Sequence, residues 1–168
     1  MTARLCLKPP QAVDSDALFA FLGDPDAMRF TMKLADVEAC RRHLTAHACQ
    51  AKAVGFGPWI VMEKVSGTVI GFGGLYEDPF EPGWGPEVGY HFAPDAWGNG
   101  YATELVSQAL KDARDRHHLP KVRAFVHSNN SASRRVLEKA GFEQVRFIPA
   151  MQRFLYERNL GSIPFDYH

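Results

Sequence analysis

Residues 94–104 read PDAWGNGYATE. A proline closes one segment, glycines stand at 98 and 100, and good helix formers follow at once. A strand, a glycine turn and a helix in that order bring free backbone N–H groups and the positive end of a helix dipole to one spot. That spot suits an anion such as a pyrophosphate, and glycines let the backbone approach it closely. The same pattern also serves as a plain turn, so both readings stay open on this stretch alone. It is not the nucleotide loop ending in Gly-Lys-Ser/Thr, since no such lysine follows. Nor is it the dinucleotide fingerprint, whose third glycine is missing.

Working outward, EVGYHFAP (87–94) reads as the strand that feeds this turn, and residues 100–117 as the helix that leaves it. Ala102, Leu105, Val106, Ala109, Leu110 and Ala113 form the helix's apolar stripe. KVRAFVH (121–127) is a further strand. NNSASRRVLEKAGF (129–142) opens with capping residues, runs as a helix with Val136, Leu137 and Ala140 inward, and stops at Gly141. FEQVRFI (142–148) and QRFLYERNL (152–160) are the last strands. Upstream, RLCLKP (4–9) alternates as a first strand with Leu5 and Leu7 on one face. Helical patterns follow from Asp14 or Ser15 to Gly23 (stripe Leu18, Phe19, Leu22) and from Leu34 to Lys52 (stripe Val37, Cys40, Leu44, Ala48), with a short helical turn expected at Asp24-Pro25. Residues 58–75 read as a hairpin turning at Ser66-Gly67, and 77–86 as a Pro/Gly loop. The order predicts an α+β domain with a mixed sheet.

The chain has 168 residues, the size of one domain, and 1–168 is read as such. Nineteen basic residues balance nineteen acidic ones, which argues against a nucleic-acid partner held by phosphate contacts. Three scattered cysteines, Cys6, Cys40 and Cys49, do not suggest a disulfide framework and favour a reducing, cytoplasmic setting. No signal-peptide core or membrane-spanning run is present, so no membrane partner is expected.

The glycine stretch and NNSASRRVLEKAGF together resemble the GNAT acetyltransferase superfamily. In that family Arg/Gln-x-x-Gly-x-Gly/Ala cradles the pyrophosphate of acetyl-CoA. The matching residues here are Trp97, Gly98, Asn99, Gly100, Tyr101 and Ala102. Trp97 departs from the usual Arg or Gln and is similar to the branch that includes ribosomal-protein N-terminal acetyltransferases. RLCLKP, IGFGGL and the Asn130–Phe142 motif are also similar to that branch. The resemblance covers nearly the whole chain. It implies a GNAT fold, with a mostly antiparallel sheet flanked by helices and splayed strands at a cofactor cleft.

It also implies residue roles. Backbone amides near Phe92 and Ala93 would bind the pantetheine arm and polarise the thioester carbonyl, as preorganised donors do for a developing oxyanion. Asn130 matches an asparagine that reaches the cofactor's amide arm, and a plain helix N-cap is the other reading. Leu137 stands where many members carry a tyrosine that protonates the leaving thiolate. Ser133, one turn earlier, matches the serine that takes its place in the ribosomal-protein branch, and an exposed helix serine is the alternative. Glu87 resembles the family's catalytic glutamate and is the first candidate base, set against a solvated strand-end glutamate. His91 is the rival base, and His127 a third. Arg134 and Arg135 are candidates for the cofactor's 3′-phosphate, and a solvated helix face is the other reading. Phe80 and Trp84 would line the acceptor site or cover the core. Cys40, His43 and His47 share a helix face, yet no fourth ligand is evident and no metal is expected.

The expected function is direct transfer of acetyl from acetyl-CoA to a primary amine, either a protein N-terminus or a small molecule. The alternative is a catalytically idle domain that senses acyl-CoA. A monomer and a homodimer are both open.

Overall fold

The structure, a computed structural model, describes residues 2–161. Seven strands form one sheet in the order β1-β2-β3-β4-β5-β7-β6. In chain order the elements are β1 (Leu5–Lys8), α1 (Ser15–Leu22), α2 (Val37–Val54), β2 (Trp59–Glu63), β3 (Val69–Tyr76), β4 (Glu87–Phe92), α3 (Tyr101–Asp115), β5 (Lys121–His127), α4 (Ser131–Lys139), β6 (Glu143–Ile148) and β7 (Arg153–Asn159). Single 3-10 turns occupy Ala12–Asp14 and Pro94–Ala96. This is the expected α+β architecture, antiparallel everywhere except between β4 and β5.

Two helical layers cover the two sheet faces. Leu18, Phe21 and Leu22 of α1 pack with Cys40 and Leu44 of α2 on Ile60 and Phe72. On the other face, Val106, Ala109 and Ala113 of α3 pack with Leu137 of α4 on Val88, Val122, Ala124, Val126 and Tyr156. Leu5, Val61, Ile70, Phe92 and Leu105 extend that layer toward β1. The α3 stripe is the one its spacing predicts. In α1, Phe21 joins Leu18 and Leu22 in the buried set and Phe19 is only partly covered.

Several boundaries differ from expectation for local reasons. α2 starts at Val37 rather than Leu34, because the Asp36 carboxylate caps it by accepting from the Ala39 amide at 2.7 Å. It ends at Gly55, a left-handed cap. At Asp24-Pro25 the expected short helical turn forms and stops there. Met28 donates to the Asp24 carbonyl and Ala27 to its carboxylate, but one closed turn without an apolar stripe does not propagate.

The feature that positions the site is a gap. β4 and β5 run parallel but pair only where Glu87 meets Arg123, with the Arg123 amide donating to the Pro86 carbonyl at 3.0 Å. Beyond that point β5 pairs with β7 along its whole length, and β4 pairs with β3 alone. The facing edges of β4 and β5 therefore separate into a cleft, as expected of splayed strands. No helix among the described residues is long and apolar enough to cross a membrane.

Candidate active site

Strand alternation assigns the cleft's side chains to two faces. Glu87, Gly89 and His91 point to the α1/α2 face, where His91 lies opposite Phe72 and Glu87 opposite Tyr76. Val88, Tyr90 and Phe92 point to the α3/α4 face. On β5, buried Val122, Ala124 and Val126 take the α3/α4 face, leaving Arg123, Phe125 and His127 on the other.

The mouth of the cleft is built by the glycine stretch. Gly98 and Gly100 adopt φ of 77° and 78°, the left-handed region that disfavours any side chain. Gly100 is the N-cap of α3, so the amides of Tyr101, Ala102 and Thr103 lack helical acceptors and face outward. A Cβ at Gly98 would meet nothing within 4 Å, and one at Gly100 only the tip of Arg4 at 3.4 Å. The cradle is therefore open space bordered by backbone donors. Arg4 braces it from behind. Its guanidinium donates to the Asn99 carbonyl at 2.7 Å, pairs with Glu104 at 2.8 Å and lies over the Tyr101 ring at 4.6 Å. The Asn99 side-chain amide turns back onto the Ala96 and Trp97 carbonyls, and the Tyr101 hydroxyl donates to Glu63 at 2.7 Å.

Trp97 has a definite task despite its departure from Arg or Gln. Its indole N–H donates to the Phe92 carbonyl at 3.0 Å, a group that the splay leaves without a strand partner. The Ala93 amide is spent on the Ile70 carbonyl at 2.8 Å and so does not point into the cleft. This corrects half of the amide expectation. Antiparallel alternation directs the amides of Phe92 and Tyr90 there instead.

On the α3/α4 face, Asn130 is the N-cap of α4, and its side chain accepts from the Ser133 amide at 3.2 Å. The capping reading is thus realised, with the Asn130 side-chain N–H₂ remaining available. Ser133 is half-buried and lies 2.7 Å, Oγ to Oη, from the hydroxyl of Tyr90. Tyr90 was not singled out by sequence. Burial pushes its pKa up to about 12, with the Ser133 contact pulling the other way. The signal that could have found it is its register: Tyr90 alternates with Glu87 on a strand leading to the glycine turn. Leu137 is buried in the core beneath. Arg134 is tied to Tyr156, Ser128 and Gln144, whereas Arg135 is exposed. The two arginines that sequence could not distinguish are therefore distinct in position.

On the α1/α2 face Glu87 is a buried carboxyl, 6% exposed. Burial, then the charge of Asp78, pushes its pKa up to about 8, against the opposing pull of the Tyr76 hydroxyl and Arg153. Gly89 makes room for that hydroxyl, since a Cβ there would stand 2.3 Å from it. His91 is pushed down to about 4 by burial, then by His43 and Arg153. It is neutral near pH 7 and a poor proton acceptor beside Glu87. His127 is engaged structurally, its Nδ1 accepting from the Asn129 amide at 3.1 Å and its ring 5.2 Å from Phe30.

The helix face of Cys40, His43 and His47 builds packing. Cys40 is buried in the core. The His43 ring stacks on Phe80 at 5.0 Å, and the His47 ring meets Tyr76 edge-on at 5.3 Å. Trp84 packs edge-on against Phe125 at 5.0 Å, and its carbonyl accepts from Arg123 at 2.5 Å. Both aromatic residues of the 77–86 loop thus border the same face as Glu87.

The arrangement joins an open anion cradle, an unpaired strand edge, a buried carboxyl on one face and a hydroxyl pair on the other. Known proteins resemble the chain in sequence and fold. A family model described as the acetyltransferase (GNAT) domain matches residues 4–143. An uncharacterised Bacillus subtilis (strain 168) protein, YkkB, is 31% identical over 161 residues, covering 94% of each chain. Among solved structures, an acetyltransferase of Agrobacterium tumefaciens str. C58 superposes with a TM-score of 0.82 at 22% identity, covering 95% of this chain and 92% of that one. A Salmonella typhimurium protein solved with its cofactor acetyl-CoA gives 0.74 at 17% identity, covering 96% of each. The chain belongs to the GNAT acetyltransferase family.

Proposed function

We propose that the protein moves the acetyl group of acetyl-CoA directly to a primary amine within a ternary complex. The observation that carries this reading is Glu87, a buried carboxyl with a pKa near 8 at the closed end of a cleft whose open end is a glycine cradle. A base needs a pKa near working pH, and few surface carboxylates have one.

The residues present fit the donor. The amides after Gly98 and Gly100 suit its pyrophosphate, and exposed Arg135 and the Asn130 side-chain amide on α4 are further candidates to hold it. The Phe92 and Tyr90 amides line the strand edge where a pantetheine arm would hydrogen-bond and where a carbonyl oxygen gains charge. Glu87 takes the acceptor's ammonium proton on the α1/α2 face, directly or through a water. The free amine attacks the thioester carbonyl, forming the C–N bond as the C–S bond breaks. On the opposite face the Tyr90–Ser133 hydroxyl pair donates to the departing thiolate. Base and acid on opposite faces let the acceptor enter from one side while the thiol leaves by the other, with no covalent acetyl-enzyme.

The motif around Trp97 and the serine at 133 support kinship with the ribosomal-protein N-terminal branch. A peptide N-terminus and a small amine are both compatible with it. Calorimetry with acetyl-CoA, combined with a thiol-release assay over an amine panel, tests the reading. Binding with turnover is expected. Binding without turnover on any amine would instead identify a sensor of acyl-CoA, and the absence of both would overturn the family reading of the cleft.

A further inference from the structure

The face that carries Glu87 is built largely of rings. Counting on from the Glu87–Arg123 pairing, Gly89 stands across the gap from Phe125, and His91 across from His127. Gly89 carries no side chain, so Phe125 forms the wall of the cleft at that level. Three ring pairs lie on this face. Trp84 packs edge-on against Phe125 at 5.0 Å, Phe80 stacks on His43 at 5.0 Å, and Phe30 meets His127 at 5.2 Å. They come from four parts of the chain: the 77–86 loop, β5, α2 and the segment between α1 and α2.

These rings are not sealed in the core. Phe80 is 55% exposed, and Phe30, His43, Trp84, Phe125 and His127 are half-buried. The core phenylalanines Phe21, Phe72, Phe92 and Phe142 are by contrast at most 7% exposed. Partly open aromatic surface gathered beside a cleft marks a ligand contact rather than a packing layer. Most charges beside the rings are already engaged. Arg123 is held by Glu157 at 3.4 Å and by the Trp84 carbonyl. The Asp78 carboxylate accepts from the Phe80 amide at 2.8 Å. Arg29 lies over the Phe30 ring at 4.6 Å and Arg146 over Trp84 at 6.0 Å. Arg153, the register partner of His127, stands at the end away from Glu87.

We propose that the acceptor carries an aromatic ring close to its amine, held against Phe80, Trp84 and Phe125 while the amine reaches Glu87. This rests on the acetyl-transfer reading and names the substrate class for that same site. Glu87 directly follows the loop that supplies Phe80 and Trp84, and Phe125 lies two residues beyond Glu87's partner on β5. Two residues advance about 7 Å along a strand, a distance that one or two carbons between amine and ring would span. Ring-on-ring contact adds to the gain from plain burial. A second charge on the acceptor would have to be desolvated against these rings, a cost that an aromatic group avoids.

The test uses the intact protein, acetyl-CoA and matched acceptors: phenylethylamine against ethylamine and the four-carbon diamine, and two tripeptides that differ only in Phe or Ala at the N-terminus. Rates are referred to the free-base fraction of each amine. Phenylethylamine should exceed ethylamine in kcat/KM by about ten- to a hundredfold, the range for covering one ring. The peptide pair separates the two sources of such a ring, and a preference within one pair alone assigns the ring to that source. Phe80→Ala, at an exposed position, should narrow the preference by about three- to tenfold, mainly through KM. Phe125→Leu should act in the same direction, with acetyl-CoA affinity reporting that the fold is intact. Equal use of ring-bearing and ring-free acceptors in both pairs, a preference for the diamine, or an equal loss on all acceptors in Phe80→Ala overturns the assignment and leaves acetyl transfer standing. Failure of every amine despite acetyl-CoA binding overturns both.

Discussion

Glu87 carries a buried carboxyl among aromatic rings and neutral histidines, with the charges of Asp78 and Arg153 acting on it, and its chemistry follows from that company. An ordinary carboxyl titrates near 4.5 and this one near 8. As a base it must be ionised, so kcat/KM should rise with pH through about 8 and then level. Glu87→Gln should remove that limb and lower the rate by about 10²–10⁴-fold. Folding carries the same signature. A carboxyl whose native pKa is raised binds more protons when folded, so its contribution to stability is greatest at low pH and declines as pH rises from about 4.5 to 8. Thermal melts across that window should show a flatter slope in the Gln variant. Tyr90 supplies the second test at this scale. Tyr90→Phe removes one hydroxyl, and kcat should fall by about ten- to a hundredfold with acetyl-CoA affinity nearly unchanged. Ser133→Ala should act in the same direction. A double variant no worse than the poorer single would show that the two hydroxyls, 2.7 Å apart, act as a unit.

The turn into α3 and the helix α4 are where sequence was most informative, because both depend on local chemistry. Glycines at 98 and 100 mark left-handed backbone, Asn130 marks a cap and Gly141 a stop, and each rule operates within a few residues of chain. Gly100→Val should therefore strain a φ of 78° and fill the cradle's floor. Acetyl-CoA affinity by calorimetry should fall by more than about tenfold. An unchanged affinity would place the donor elsewhere. α4 also shows what sequence alone mistakes for an opportunity. Leu137 occupies the position of the family's usual tyrosine, which invites Leu137→Tyr as a repair. The side chain is 2% exposed and packed on Val126 and Tyr156. The added ring should cost about 1–3 kcal/mol in denaturant unfolding and yield no gain in rate.

Across the whole molecule, what sequence left hidden is what depends on long-range neighbours. The alternation of EVGYHF shows that Glu87 and His91 share a face, but not that the face is buried or that Tyr76 and Asp78 attend it. The Ala93 amide was lost to Ile70 for the same reason, since which amides a strand leaves free depends on its partner's register. On the proposed reading, the amine enters from the face that carries Glu87 and the thiol leaves by the face that carries Tyr90 and Ser133, with the gap between β4 and β5 separating them.

The three tryptophans are distributed across that division. Trp59, partly buried, packs against the core, Trp84 borders the face that carries Glu87, and Trp97 stands half-exposed beside the glycine cradle with its indole N–H on the Phe92 carbonyl. Acetyl-CoA seated in the cradle should cover Trp97 and change its emission, a response that Trp97→Phe would abolish. An acceptor should act on Trp84 instead. The protein therefore carries two native fluorophores, one for each substrate, and stopped-flow fluorescence without any added label can time their order of arrival.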